Sequence, residues 1–255
     1  PDAFALTLNP AVVRRTLSGA AAILSNTDRA ARRLAERHPE LAGRVRVVPN
    51  GTDGPCDPPR VPDPEMPFRI VHAGTLYMDR DPRPLLEAAA RVHETTGRRL
   101  EIVFAGPRAF IDGAPLRTWA EAAGLGDALI EIPWCDRSEA IRLQSSADVL
   151  VAFQGAAVDQ IPAKVFEYLG RAATVLALTG RDSATGDLLR DSSAIVCDID
   201  DTTAIERALR SCVSANAEGR PIVPVNADGR FSRSTQGGIV ADLLETLAEA
   251  VTGPR

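Results

Sequence analysis

In Phe68-Arg-Ile-Val-His-Ala-Gly-Thr-Leu-Tyr-Met-Asp-Arg-Asp-Pro82, a short apolar run leads directly into the start of a helix. The run has the length of a buried strand, and Asp81 followed by Pro82 is typical of an N-cap and a first helical position.

Five further apolar runs follow this first one along the chain. Strands are therefore predicted at 68–73, 100–105, 128–132, 148–152, 173–178 and 194–197. Helical patterns separate them at about 82–96, 114–123, 136–146, 162–170, 183–190 and 201–217, with Ser138 and Asp201 at two of the starts. Nearly continuous apolar strands that alternate with helices predict an α/β fold with a doubly wound, Rossmann-like parallel sheet.

The two ends of the chain are predicted to lie outside this main domain, which spans residues 68–218. Residues 1–50 are expected to form a smaller α/β unit. Its expected elements are a helix opened by Asn9-Pro10, a strand at 21–24, a helix from the N-cap Thr27 to about Arg37 and a strand at 45–48. Residues 51–67 belong to a stretch from Pro49 that has seven prolines in nineteen residues, which is typical of an extended linker. Residues 219–255 are expected to be a second linker and a final helix, from about Ser232 to Val251, that packs on the first unit.

Composition argues against several classes of protein. With 255 residues, 45% hydrophobic and 25% charged, the chain resembles an ordinary globular protein. The net charge of −5 argues against a nucleic-acid partner. The four cysteines form no Cys-x-x-Cys pair and the three histidines form no helical ligand pair, so we expect reduced thiols, a cytoplasmic location and no metal site. No apolar run is long enough to span a bilayer. Because the chain begins with Pro1 and not with methionine, we expect it to be either a fragment or a trimmed form of a longer protein.

A single lysine marks the most informative segment for function. Lys164 is the only lysine among 29 basic residues, and it lies in Asp159-Gln-Ile-Pro-Ala-Lys-Val-Phe-Glu-Tyr-Leu-Gly170. A compact ammonium can point at one oxygen in a way that a planar guanidinium does not replace. Glu167 lies three residues later on the same helical face, and its carboxylate suits a pair of vicinal hydroxyls. The alternative is a solvated lysine that forms a surface ion pair with Glu167, which would contribute little.

The turn after the first strand of the main domain is a second candidate site. Gly74 would allow close backbone approach, Thr75 offers a hydroxyl, and Arg80 or Arg83 could meet a phosphate at the helix start. His72 is expected to end the strand without reacting. The turn has neither Gly-x-Gly-x-x-Gly nor a Walker loop, which argues against a dinucleotide-dependent oxidoreductase.

A third candidate follows the predicted strand at 128–132. In Pro133-Trp-Cys-Asp136, Trp134 either stacks on a base or belongs to the core. Cys135 has no histidine nearby in sequence and is expected to be inert.

Taken in order, these segments resemble the nucleotide-sugar-binding half of GT-B glycosyltransferases, most closely the large retaining family 4. The matching pieces are Val45-Arg-Val-Val-Pro-Asn-Gly-Thr-Asp53, Phe68-Arg-Ile-Val-His-Ala-Gly-Thr-Leu76, Asp148-Val-Leu-Val-Ala152, Ile161-Pro-Ala-Lys-Val-Phe-Glu-Tyr-Leu169, Thr174-Val-Leu-Ala177 and Phe231-Ser-Arg233. The resemblance covers essentially the whole chain. It implies that residues 1–50 are the end of an acceptor domain, and that the chain supplies the donor-binding half of the enzyme.

The resemblance also implies roles for individual residues. Glu167 would hold the ribose hydroxyls, and Asp159 would approach the donor sugar where the family has a glutamate one methylene longer. Arg80 would bind the diphosphate, and Lys164 would be a second cation because Thr75 replaces a common arginine. Asp159, Lys164 and Arg80 are thus the expected catalytic residues. The expected substrate-binding residues are Gly74, Thr75, Arg80, Trp134, Asp159, Lys164 and Glu167.

The implied reaction is transfer of a sugar from a nucleoside diphosphate sugar with retention. Cations and helix N-termini would stabilise the leaving diphosphate, so no metal or cofactor is expected. The acceptor is open: a glycan, a lipid or a small molecule. Peripheral membrane association would come through the rest of the acceptor domain. Two alternatives stay open, a non-catalytic glycosyltransferase-like binding subunit and a nucleotide-sugar epimerase, which would need histidines and carboxylates in its cleft.

Overall fold

A computed structural model describes residues 10–76, 79–107 and 110–252 of this chain. Its amino-terminal unit contains two short parallel strands and two helices. These elements are α1 (Pro10–Ser18), β1 (Ile23–Ser25), α2 (Asp28–Arg37), a 3-10 helix (Pro39–Arg44) and β2 (Val45–Val47). Thr27 is the N-cap of α2, as predicted, because its hydroxyl accepts a hydrogen bond from the Ala30 amide at 3.0 Å. The predicted role of Asn9 lies outside the described residues.

The main domain is built on a six-stranded parallel sheet. Its strands are β3 (Phe68–Ala73), β4 (Leu100–Ala105), β7 (Leu129–Ile132), β8 (Val149–Phe153), β9 (Thr174–Leu178) and β10 (Ile195–Cys197). A small antiparallel hairpin of β5 (Phe110–Ile111) and β6 (Ala114–Pro115) lies outside the sheet. The spatial order is β10-β9-β8-β3-β4-β7, which is the Rossmann order. The winding therefore reverses between β3 and β8.

Helices cover both faces of this sheet. They are α3 (Arg83–Thr96), α4 (Leu116–Ala122), α5 (Arg137–Ser145), α6 (Ala163–Leu169), α7 (Ala184–Leu189) and α8 (Thr202–Ala217). Alternate side chains of each strand point to opposite faces, so the core divides into two clusters. Phe68 and Ile70 of β3 pack with α3, α4 and α8, whereas Val71 packs with α6 and α7. The predicted doubly wound α/β fold is confirmed.

The predicted elements agree closely with those observed. Each of the six strands of the sheet lies within one residue of its predicted ends, and each helix of the main domain lies within two. Two predicted helix starts need correction. Asp136, not Ser138, caps α5, because its carboxylate accepts from the Glu139 amide at 2.8 Å. Asp81 lies one residue before the N-cap position of α3, where it accepts from the Arg83 amide at 2.9 Å. Asp201 caps α8, as predicted.

The proline-rich segment between the two units is extended, and it lies along the main domain. Arg60 exchanges two backbone hydrogen bonds with Ile222, at 3.0 and 2.8 Å. Its guanidinium reaches the buried Asp148 carboxylate at 3.0 Å, and Asp57 pairs with Arg171 at 2.9 Å. The segment is therefore fixed at several points along its length.

The last helix, α9 (Arg233–Thr252), begins where the chain returns to the junction between the units. Thr52 and Arg233 join there, since the Arg233 amide donates to the Thr52 carbonyl at 3.0 Å. Most described side chains of α9 are exposed, including Leu244 at 61%. That α9 packs on the first unit stays a prediction. In the part of the chain that the structure describes, no helix is long and apolar enough to cross a membrane.

Candidate functional site

The candidate site lies where the sheet reverses its winding. β3 and β8 pair in parallel, and the chain leaves them in opposite directions. The loops that follow, residues 74–76 with 79–82 and residues 154–162, lie at the carboxyl ends of the two strands, and the region between them is here called the crevice. In open α/β sheets this crevice is the usual place for a ligand.

Lys164 lies in this crevice, against the backbone of Gly74. A Cβ atom added at Gly74 would be 2.2 Å from Lys164 Cε and 3.1 Å from Nζ, so only glycine leaves room for the lysine. The side chain is half-buried in the first turn of α6. Within the described residues, its ammonium forms no hydrogen bond or ion pair. Glu167 is also half-buried, and among the same residues its carboxylate has no such partner. The surface ion pair between Lys164 and Glu167 is therefore absent.

The buried ring of His72 lies near this lysine. Its ring is 3% exposed, lies edge-on to Phe153 with 5.0 Å between ring centres, and donates from Nδ1 to the Val151 carbonyl at 2.9 Å. Burial, together with the nearby positive charges of Lys164 and Arg80, lowers the pKa of His72 to about 4. The imidazole is thus neutral at physiological pH. Lys164 and Arg80 are thus both close enough to the end of β3 to act electrostatically on this ring.

The two arginines near the start of α3 differ in their surroundings. Arg80 is half-buried and acts electrostatically on His72. Arg83 instead pairs with Asp81 and with Asp112 at 2.7 Å, and its guanidinium lies over the Trp119 ring at 4.9 Å. The prediction that Arg83 could meet a phosphate is therefore wrong, because two carboxylates and an aromatic face already hold its side chain.

Trp134 and Cys135 follow β7 at the same end of the sheet. The Trp134 side chain is 78% exposed, so it does not belong to the core. Burial raises the pKa of the Cys135 thiol, and the carboxylates of Glu139 and Asp136 raise it further. The thiol therefore stays protonated at neutral pH, and that Cys135 is inert stays a prediction.

Asp159 is held by the amino-terminal unit. Its carboxylate accepts a hydrogen bond from Arg33 of α2, and its backbone carbonyl accepts from the Thr27 hydroxyl at 2.7 Å. The structure therefore places Gly74, Thr75, Arg80 and Lys164 around the end of β3, with Glu167 one helical turn further on. Asp159 lies in the loop of residues 154–162, at the contact of this loop with α2.

Two residues that hold the loops of the crevice, Asp79 and Gln154, were not predicted from the sequence. Asp79 accepts a hydrogen bond from the Ala156 amide at 3.0 Å, which ties the loop after β3 to the loop after β8. Gln154 is buried and donates to the carbonyls of Ala157 and Gln160, at 2.9 and 2.8 Å, so it fixes the second loop from inside. The only hint for Asp79 was its place beside Arg80 in a polar turn.

The site is adjacent to a hollow and contains no cluster suited to a metal. The hollow lies at the ends of β3, β4 and β7 and is lined by Gly74, Leu76, Phe104, Gly106, Pro107, Leu116, Glu131 and Pro133. Over residues 10–76, 79–107 and 110–252, no group of three or more His, Cys, Asp or Glu side chains could hold a metal ion.

Comparison with known proteins identifies the architecture. No protein-family model matches this chain, and no curated protein matches it. Among solved structures, HepE of Anabaena, crystallised with UDP and glucose, superposes with a TM-score of 0.72 at 13% identity, over 93% of this chain and 66% of that chain. This chain has the GT-B glycosyltransferase fold.

Other GT-B structures match equally widely. The lipopolysaccharide outer core galactosyltransferase WaaB superposes with a TM-score of 0.67 at 13% identity, over 89% of this chain and 62% of its own. Sucrose-phosphate synthase of Thermosynechococcus elongatus superposes with a TM-score of 0.64 at 16% identity, over 94% of this chain and 61% of its own. The present chain thus spans about two thirds of the length of these GT-B proteins. Membership of family 4 stays a prediction.

Proposed function

We propose that this chain is the donor-binding part of a glycosyltransferase that takes a nucleoside diphosphate sugar and transfers the sugar with retention. The observation that carries the proposal is the position of Lys164, half-buried against Gly74 where the sheet reverses its winding. A half-buried ammonium without a carboxylate partner among the described residues is suited to a bound anion. HepE, which has the same fold, was crystallised with UDP and glucose and also with UDP-glucose.

Lys164 and Arg80 are proposed to bind the diphosphate. Both lie at the carboxyl end of β3, where Gly74 lets a phosphate approach the backbone and Thr75 offers a hydroxyl. Negative charge on the diphosphate grows as the bond to the sugar breaks, so two fixed cations stabilise the transition state more than the bound donor. We propose on this basis that the reaction needs no metal ion.

The nucleoside is proposed to bind beyond the phosphates. Glu167 lies one turn after Lys164, and its carboxylate can accept hydrogen bonds from both ribose hydroxyls. Trp134 offers an exposed indole face on which a base can stack. Asp159 would lie on the side of the donor sugar, opposite the nucleoside.

A calorimetric screen tests this proposal. The chain would be titrated with UDP, GDP, ADP and CDP and with a common sugar derivative of each. We expect one nucleotide to bind, and we expect Lys164→Met and Glu167→Gln each to weaken its binding about tenfold or more, which corresponds to about 1.4 kcal/mol or more. Arg207→Gln on α8 and Glu94→Gln on α3 are matched controls, because both residues are exposed and lie outside the site.

The outcome separates the competing functions. Binding that is unchanged in Lys164→Met and Glu167→Gln would contradict the proposed site. Failure of all four nucleotides to bind the wild-type chain would favour a non-catalytic subunit. If a donor binds, the anomer of the free sugar released by slow donor hydrolysis, read by NMR, tests retention.

A further inference from the structure

The amino-terminal unit contacts the loop of residues 154–162, here called the donor loop, at Asp159. Three side chains of α2 and its N-cap make polar contacts with the main domain. The Thr27 hydroxyl donates to the Asp159 carbonyl at 2.7 Å, Arg33 pairs with the Asp159 carboxylate, and Arg29 bridges Asp182 and Asp187, at 2.6 Å from each. Both the backbone and the side chain of Asp159 are therefore bound by a single helix of the other unit.

The rest of the donor loop is held within the main domain. Asp79 holds the Ala156 amide, Gln154 holds the carbonyls of Ala157 and Gln160, and the Ala184 amide donates to the Val158 carbonyl at 2.7 Å. The nucleotide end of the site, with Lys164 and Glu167 on α6, thus depends on the main domain itself. The position of Asp159 depends on α2.

Arg33 is 58% exposed, so on its own the pair with Asp159 would contribute little to stability. The pair can nevertheless fix the position of the Asp159 carboxylate. Thr27 fixes the Asp159 backbone while it also caps α2, and it is only 4% exposed. An aspartate has one rotatable bond fewer than a glutamate, so the reach of its carboxylate depends on the backbone position and on the guanidinium beside it.

We infer that Arg33 is a positioning residue for the donor sugar, through which the amino-terminal unit sets the Asp159 carboxylate. This role rests on the proposed function, in which Asp159 lies beside the sugar. Loss of Arg33 should therefore weaken recognition of the sugar while leaving recognition of the nucleoside diphosphate unchanged.

Arg33→Gln and Arg32→Gln form a matched pair for the test. Arg32 is exposed, lies next to Arg33 on α2 and has no ion pair or hydrogen bond among the described residues, so both variants remove one charge from the same helix. Affinities would be measured calorimetrically for UDP against UDP-glucose and for GDP against GDP-mannose. For the pair that binds, we expect Arg33→Gln to lower the affinity for the sugar nucleotide about fivefold, as the size of exposed ion pairs suggests. Arg32→Gln should leave this affinity unchanged. Arg33→Lys, which keeps the charge, should lower it less than Arg33→Gln.

Hydrogen exchange of the unliganded chain gives an independent readout. The amides of residues 156–161 should exchange faster in Arg33→Gln than in Arg32→Gln, because the loop loses one of its two attachments to α2. Equal exchange in the two variants overturns the inference even if no nucleotide binds. An Arg33→Gln variant that loses affinity equally for the nucleotide and for the sugar nucleotide also overturns it, because Arg33 would then not act on recognition of the sugar. A wild-type chain that binds none of the four nucleotides of the screen overturns the proposed function and, with it, the role of Arg33 in sugar binding.

Discussion

The imidazole of His72 lies buried beneath the two cations of the candidate site. Its folded pKa of about 4 is below the ordinary value of 6.5. Between these values the unfolded chain binds a proton that the folded chain does not, so acid favours unfolding. Above pH 6.5 the effect is absent, and from there down to pH 4 it should remove about 3 kcal/mol from the free energy of unfolding.

His72→Asn tests this, because an asparagine can still donate to the Val151 carbonyl but does not titrate. Urea unfolding at pH 7 and pH 4.5 should show a larger loss of stability in the wild-type chain than in the variant. Parallel losses in the two proteins would mean that His72 is not the buried proton-sensitive group.

Gly74 and Gly106 are both crowded, but by different neighbours. A Cβ at Gly74 would meet the flexible end of Lys164, whereas a Cβ at Gly106 would lie 2.4 Å from the Gly74 carbonyl oxygen. We expect Gly74→Ala to displace the lysine, cost less than about 1 kcal/mol of stability and weaken nucleotide binding about tenfold. Gly106→Ala should cost about 1–3 kcal/mol, because backbone must move.

Thermal unfolding and calorimetry of both variants separate these effects. Gly43→Ala is the control, since nothing lies within 4 Å of its added Cβ. A Gly74→Ala variant with wild-type affinity would mean that the position of Lys164 does not matter.

Some residues of the site could be predicted and others could not. Lys164 was predictable because a lone lysine among arginines is itself a signal. The role of Asp79 was not, because its partner Ala156 lies 77 residues away and no spacing connects them. Arg83 was misassigned because Asp112, which holds it together with Asp81, lies in a hairpin that the sequence pattern does not indicate.

At the scale of elements, α6 is attached to the sheet through Tyr168. This side chain is fully buried, and its hydroxyl oxygen accepts from the Ala73 amide at 2.9 Å. In Tyr168→Phe the Ala73 amide would be left without that partner. We expect a loss of about 1–3 kcal/mol in the free energy of unfolding, measured by urea denaturation with an unchanged m-value. A wild-type midpoint in this variant would show that water replaces the hydroxyl.

Element boundaries were predictable where a strand is buried on both faces and is followed directly by a glycine. β3 and β4 match their predicted ends to the residue. β5 and β6 were missed because two residues per strand carry no periodicity. Ser138 was predicted at the start of α5, whereas Asp136 caps it; serine and aspartate are both good caps, so residue type alone does not separate them.

At the scale of the whole molecule, Asp148 joins the segment between the two units to the main domain. Its buried carboxylate accepts from Arg60 at 3.0 Å, from the Arg69 amide at 2.8 Å and from Asn216 at 3.1 Å. Asp148→Asn removes the charge that these donors face, so we expect it to cost about 2–4 kcal/mol.

The matched control is Asp191→Asn, an exposed aspartate without a described ion pair, which should stay within about 0.5 kcal/mol of wild type. Thermal unfolding compares the two variants. Equal melting temperatures would mean that the segment between the units contributes no stability through this carboxylate.

The strand order could not have come from the apolar runs alone, since they give the number of strands and not their neighbours. The parallel winding follows from the alternation of strands and helices, but the reversal between β3 and β8 is fixed by packing. The sequence indicated candidate sites in the segments after the strands, but not which of these segments the reversal brings together.

The position of Lys164 has a practical consequence for handling the protein. Because this chain has one lysine, its only side-chain primary amine lies in the candidate crevice, against Gly74. Reagents that acylate amines would therefore modify the site itself, and a bound diphosphate should shield it. Coupling the chain to a sensor surface through lysine would attach it by the same crevice, and ligands would then meet a blocked site.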